Sequence, residues 1–134
     1  MKNTVSYQLL SFSYLHNQVP DADLIINVRK TLHDPSALNA ELAGLDGRDP
    51  RIQEIVMSHP TAEVVADMVV RYVDTMSFQD QSCTVAIGCS HGRHRSVALI
   101  ERIATVLNTY NYPVVQRHLR LELLENQPGR GGEQ

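Results

Sequence analysis

An α/β layered sandwich, with a mainly parallel sheet of about four strands flanked by helices, is the fold class that this 134-residue sequence predicts. Three observations predict it. Apolar runs of strand length alternate along the chain with segments of helical periodicity, the pattern of strands joined by helical crossovers. From Thr61 to Met76 the residues Val64, Val65, Met68, Val69, Tyr72, Val73 and Met76 recur at helical spacing. The run Cys83 to Ile87 (CTVAI) reads as a strand buried on both faces, and it leads through a glycine-containing turn into a second apolar-periodic segment.

Taken in order, Ser6 to Leu15 (SYQLLSFSYL) and Ala22 to Val28 (ADLIINV) read as strands, separated by the Pro-containing turn HNQVPD. The polar connection KTLHDPS follows. ALNAELAGLDGRDP then starts with helical character and ends in Gly, Asp and Pro punctuation. Pro50 to Ser58 forms a short helix with Pro50 near its first turn, where a missing N–H is harmless. The helix over Thr61 to Met76 comes next, then the loop SFQDQS, the strand CTVAI and a helix from about Arg95 to Tyr110. Asn111, Tyr112 and Pro113 break that helix, and Val114 to Leu119 (VVQRHL) reads as the last strand. Residues 1–134 fit one domain on length, with 125–134 (ENQPGRGGEQ) a disordered tail.

Composition narrows the function classes. At 43% hydrophobic and 20% charged the chain is ordinary globular protein, and no apolar run approaches the roughly 20 residues of a membrane helix. The start, MKNTVSYQLLSF, lacks the pattern of a secretory signal. Cys83 and Cys89 match no redox or zinc spacing and read as reduced thiols, which points to the cytoplasm. The net charge of −3 hides a separation of sign. From His91 to Arg120 five arginines and one glutamate give +4, and His91, His94 and His118 lie there too; the remainder carries −7. A basic island on an acidic body suits a discrete anion better than a long nucleic acid.

The densest chemistry is IGCSHGRHRSV, Ile87 to Val97. Strand, glycine turn and helix is a recurrent phosphate cradle, because free amides of the turn and the helix dipole both face the anion. Gly88 and Gly92 allow close approach, and Arg93 or Arg95 can add a bidentate clamp. Cys89, Gly92 and Arg95 also fall as C-x-x-G-x-x-R with Ser96 next, similar to the loop of cysteine-dependent phosphatases. In that chemistry Cys89 attacks phosphorus, Arg95 holds two oxygens, Ser96 bonds the sulfur, and an acid from GLDGRDP (Asp46 or Asp49) protonates the leaving group. The simpler reading of Cys89 is a small buried residue at a strand end. Cys89, His91 and His94 form C-x-H-x-x-H, which matches no closed zinc site, so neither metal nor cofactor is expected.

The chain resembles the C-terminal domain of the RNase adapter protein RapZ family. The resemblance rests on Ser11-Phe12, VPDADLIINVR (Val19 to Arg29), GLD (Gly44 to Asp46) with RIQEIV, TVAIGCSHGRHRSVALIERI (Thr84 to Ile103) and RHLRLE (Arg117 to Glu122). It implies a domain that binds an amino-sugar phosphate and small RNA and that self-associates. The ligand-binding positions it implies are Cys89, Ser90, Gly92, His94, Arg95 and Ser96, with Asp23 and Arg29; His91 and Arg93 join them as turn residues. Two positions depart from the family: Asn27 replaces its usual aspartate and His91 its usual glycine. The family's Gly-x-x-x-x-Gly-Lys nucleotide loop does not occur here, so the resemblance is to a stand-alone C-terminal domain. The end, LELLENQPGRGGEQ, has one arginine and three glutamates in place of a basic tail, and aromatics are only 5%, which weakens the drive toward RNA. The expected function is therefore a sensor or adapter for a phosphorylated small metabolite, with a protein partner and homo-oligomer formation implied. A cysteine-dependent phosphatase and an RNA-binding module are the alternatives.

Overall fold

The computed structural model describes residues 5–32, 35 and 40–126. Its elements are strand β1 (Tyr7–Ser13), β2 (Leu24–Asn27), a 3-10 turn at Ala40–Gly44, helix α1 (Pro50–Met57), α2 (Pro60–Phe78), β3 (Cys83–Cys89), α3 (Arg95–Thr109), β4 (Val114–His118) and α4 (Leu119–Glu125). The four strands form one sheet in the order β2-β3-β1-β4, and every neighbouring pair is parallel. An α/β fold with a parallel four-stranded sheet is thus what the sequence specifies.

The alternation along each strand assigns its faces. Tyr7 and Leu9 of β1 and Cys83, Val85, Ile87 and Cys89 of β3 point into the main core, where α1, α2 and α3 cover them. The opposite face carries a smaller cluster of Leu10, Phe12 and Ala86, with Tyr14, Ala22 and Leu119 packed on it. α3 lies at the centre: Val97, Leu99, Ile100, Ile103 and Leu107 are fully buried. Side chains of this size each contribute roughly 1.5–3 kcal/mol when removed from water.

Local chemistry sets the boundaries. Asp49 caps α1 by accepting from the Arg51 N–H at 2.9 Å, and Pro50 occupies the first turn. His59 caps α2 through Nδ1, which accepts from the Thr61 N–H at 3.2 Å. Asp80 and Asn111 take positive φ (59° and 63°) just past α2 and α3. The next amides, of Gln81 and Tyr112, then return to carbonyls of Met76 and Leu107, a left-handed helix stop.

The structure differs from the sequence reading in detail. β2 is only four residues long, β1 stops at Ser13, and β3 continues to Cys89. Val64 and Met68 face out on α2, whereas Ala62 and Ala66 face in, where their small size allows close packing. Leu119 does not extend β4 but begins a helix, LRLELLE, whose leucines, arginine and glutamates all favour helix. Glu125 ends that helix and Asn126 follows it; the rest of the expected disordered tail, 127–134, lies outside the described residues, as do parts of KTLHDPS and ALNAELAG. Among the described residues no helix is long and apolar enough to cross a membrane.

Candidate functional site

Parallel strands bring all their carboxyl ends to one edge of the sheet. Ser13 pairs with Cys89, Asn27 with Gly88, and Ser11 with His118, so the segments after β1, β2, β3 and β4 emerge together. Ligands of open α/β sheets bind along such an edge. Residues 90–94, the turn between β3 and α3, lie at its middle.

Hydrogen bonds hold this turn against β1. The Ser13 hydroxyl donates to the Ser90 carbonyl at 2.7 Å and accepts from the Leu15 and His16 N–H groups. The Tyr14 N–H donates to the Cys89 carbonyl at 3.0 Å. Gly92 has φ +71°, and a Cβ there would lie 2.7 Å from Ser13 Cβ and 2.9 Å from Ser13 N and Arg120 Cβ. No other residue fits that space in that conformation. From the other side, the Gly47 N–H donates to the Arg93 carbonyl at 2.7 Å, and a Cβ on Gly47 would stand 2.4 Å from the Ala98 nitrogen. The GLDGRDP segment is therefore packed directly on the start of α3.

The turn presents donors. For Ser90, His91, Gly92 and Arg93, and for Ser96 and Val97 in the first turn of α3, the backbone N–H donates to no backbone carbonyl among the described residues. The N-cap residue of α3, His94, makes no side-chain capping bond. Most helices satisfy these amides with a capping side chain, and the positive end of the dipole remains exposed where they do not. Nε of Arg93 is buried without a hydrogen-bond partner.

The structure gathers most of the sequence candidates here. Cys89 ends β3 at 2% exposure, with Sγ 3.2 Å from the Ser96 hydroxyl, which is itself fully buried. Arg29 follows β2; its guanidinium stacks 3.8 Å over the Tyr14 ring, and its Nε donates to Asn27 Oδ1 at 3.1 Å. Asn27 thus orients Arg29. His94 turns inward: it is buried, and Nε2 lies 2.7 Å from the Leu45 carbonyl, which can only accept, so Nε2 carries a hydrogen. Arg95 is 6% exposed, and its NH1 donates to the Arg29 and Leu32 carbonyls at 3.3 and 3.2 Å. It clasps the segment after β2 onto α3.

Other candidates stand apart. Asp23 precedes β2 and bonds Thr84 both ways, accepting its N–H at 2.8 Å and donating its own to the Thr84 carbonyl at 2.9 Å. That is the amino edge of the sheet, five residues of strand, or roughly 16 Å, from Cys89. Asp46 accepts from the Arg48 N–H, Nε and NH2. Burial acts to raise its carboxyl, but the Arg48 hydrogen bonds and charge overcome this and hold it below the usual carboxylate range. Hydrogen bonds from Arg51 lower Asp49 likewise. Neither carboxyl holds a proton to give near neutral pH.

Three residues join the site that the sequence reading did not single out. Tyr14 carries Arg29, Arg120 abuts Gly92, and the His16 ring faces that of His91 with centroids 6.3 Å apart. His16 is held below its ordinary value by desolvation first, then by the charges of Arg120 and His91. Behind them, His118 bridges the Ser11 hydroxyl (2.8 Å from Nδ1) and Glu101 (2.8 Å from Nε2), tying β4 to β1 and α3. Only Arg120 carried a signal, as part of a basic strand end; His16 is a lone histidine in a polar turn.

Comparison with known proteins places the sequence in a family. The family profile described as the RapZ C-terminal domain matches residues 5–122. A nucleotide-binding protein of Alcanivorax borkumensis is 37% identical over 123 residues, covering 88% of this chain and 43% of its own length. One of Carboxydothermus hydrogenoformans is 33% identical over 129 residues (90% and 43%), and one of Pediococcus pentosaceus 38% over 106 residues (75% and 35%). The chain spans less than half the length of these relatives. With the family's profile covering the whole sheet and every helix but the end of α4, this chain belongs to the RapZ C-terminal domain family.

Proposed function

We propose that this domain binds a phosphorylated small metabolite, of the amino-sugar phosphate kind, on the turn Ser90–Ser96, and that it acts as a sensor or adapter. The observation that carries this reading is the run of turn and first-turn amides that donate to no backbone carbonyl among the described residues, at the positive end of α3, where the N-cap side chain makes no capping bond. Such amides are ordinarily satisfied, and an anion satisfies several of them at once. Arg29 and Arg93 add positive charge beside them. Cys89 is then a packing residue of the loop and Ser96 its hydrogen-bond partner.

A crystal soaked in sulfate or phosphate is expected to show the anion on this turn at high occupancy. In solution, a glucosamine phosphate at a hundredfold excess over Kd is expected to raise stability by about 2.7 kcal/mol. Anion density found only elsewhere would remove the reading.

Hydrolysis is a second reading that one distance favours, the 3.2 Å between Cys89 Sγ and Ser96 Oγ. Against it, the two acids named for the leaving group, Asp46 and Asp49, are both ion-paired and lowered. No release of phosphate from a generic aryl phosphate is expected. Turnover that Cys89→Ser eliminates would reverse the choice. RNA ranks below both: Arg48, Arg51, Arg71, Arg102 and Arg117 are all engaged by carboxylates of the chain itself. Phosphate contacts would have to displace those pairs.

A further inference from the structure

We propose that His16 and His91 couple anion binding on the turn to proton uptake, so that this chain holds a dianion more tightly as pH falls. The inference rests on the anion-binding reading above and adds to it a regulation by pH.

Two loops that are far apart in sequence bring the imidazoles together. His16 lies after β1 and His91 in the turn after β3, and their rings are tilted by 35° at 6.3 Å. Among the described residues, the charges that act on His16 are those of Arg120, on α4, and His91. All are cationic when charged, and Arg120 packs against Gly92 at the centre of the turn. The cluster therefore concentrates positive charge of one sign beside the donors described above. Mutual repulsion, added to desolvation, holds His16 below its ordinary value, so near neutral pH its imidazole is uncharged.

An anion seated on the turn reverses the sign of that potential. It favours the protonated form of His16, so the complex holds more protons than the free chain. By linkage, a complex that binds protons has an association constant that falls as pH rises. The steep range lies between the lowered value of His16 in the free chain and its higher value in the complex.

Sulfate is the probe, because it stays a dianion throughout this range whereas a phosphate ester itself titrates near pH 6. Its affinity for the whole chain is to be measured by calorimetry at constant ionic strength from about pH 5 to about pH 8. The expected result is a fall of at least about tenfold across the range, with proton uptake that changes the apparent heat between buffers. The imidazole signal of His16 is expected to titrate at higher pH once sulfate is added. His16→Gln combined with His91→Gln is expected to flatten the pH dependence. Sulfate that binds the turn with the same affinity at every pH, with imidazole titrations unmoved, would overturn this inference and leave the anion site standing. Sulfate that binds the turn at no pH would overturn both.

Discussion

Gly92→Val is expected to lower Tm by about 10 °C and to weaken sulfate binding at least about tenfold. The left-handed conformation at φ +71° is the first cause. For a side chain with a Cβ it costs about 1–2 kcal/mol, and branching at that carbon adds to it. The second cause is space. The new Cβ would stand 2.7 Å from Ser13 Cβ and 2.9 Å from Ser13 N, so a backbone atom of β1 would have to move. Overpacking of this kind adds about 1–3 kcal/mol. At this chain length each kcal/mol is roughly 3–5 °C in Tm. Binding suffers separately, because any relief of the clash moves the amides of His91 and Arg93 relative to those of Ser96 and Val97. Gly44→Ala is the control: nothing lies within 4 Å of a Cβ there, and a change within about 0.5 kcal/mol is expected. A Gly92→Val chain that melts and binds as the parent does would show that the turn is not constrained as described.

The sheet and its carboxyl edge were legible because apolar runs of strand length and helical stripes are set by burial, which sequence records directly. β3 and α3 are the plainest case: CTVAI and the stripe Val97 to Leu107 flank the turn on both sides. α4 was not legible. LRLELLE follows a β-branched run without a capping residue, and His118, the last residue of β4, serves as its N-cap with no side-chain bond. Asp23 shows a different limit. It and Arg29 sit in one motif, yet a parallel strand separates the two edges of the sheet, so only the residue after β2 reaches the turn. His16 and Arg120 escaped notice because their neighbourhood exists only after β1, β3 and β4 pair. A stripe can be counted along one segment, whereas a cluster drawn from three loops cannot.

Arg95→Lys is expected to reduce both stability and affinity, and the two losses separate its structural role from its role toward a ligand. A guanidinium at the first position of a helix meets the positive end of the dipole, and here it is 6% exposed. Its NH1 donates to the carbonyls of Arg29 and Leu32, which fastens the chain after β2 to α3. A lysine ammonium is a compact point charge without the planar fork, so it cannot reproduce both bonds from the same stem. Each bond between a charged donor and a buried carbonyl contributes about 1.5–3 kcal/mol, and a carbonyl left unsatisfied loses a similar amount. A fall in stability of about 2–4 kcal/mol without ligand is therefore expected in thermal unfolding. In the proposed complex an anion on the adjacent turn adds negative charge beside this cation. If Arg95 meets that anion, sulfate affinity falls about tenfold or more beyond what the loss of stability explains, because a bidentate contact is replaced by a single one. Measuring sulfate affinity well below the melting temperature isolates this part. A variant that is destabilised but binds sulfate with unchanged affinity would confine Arg95 to clasping β2, and Arg29 and Arg93 would remain as the arginines that meet the anion.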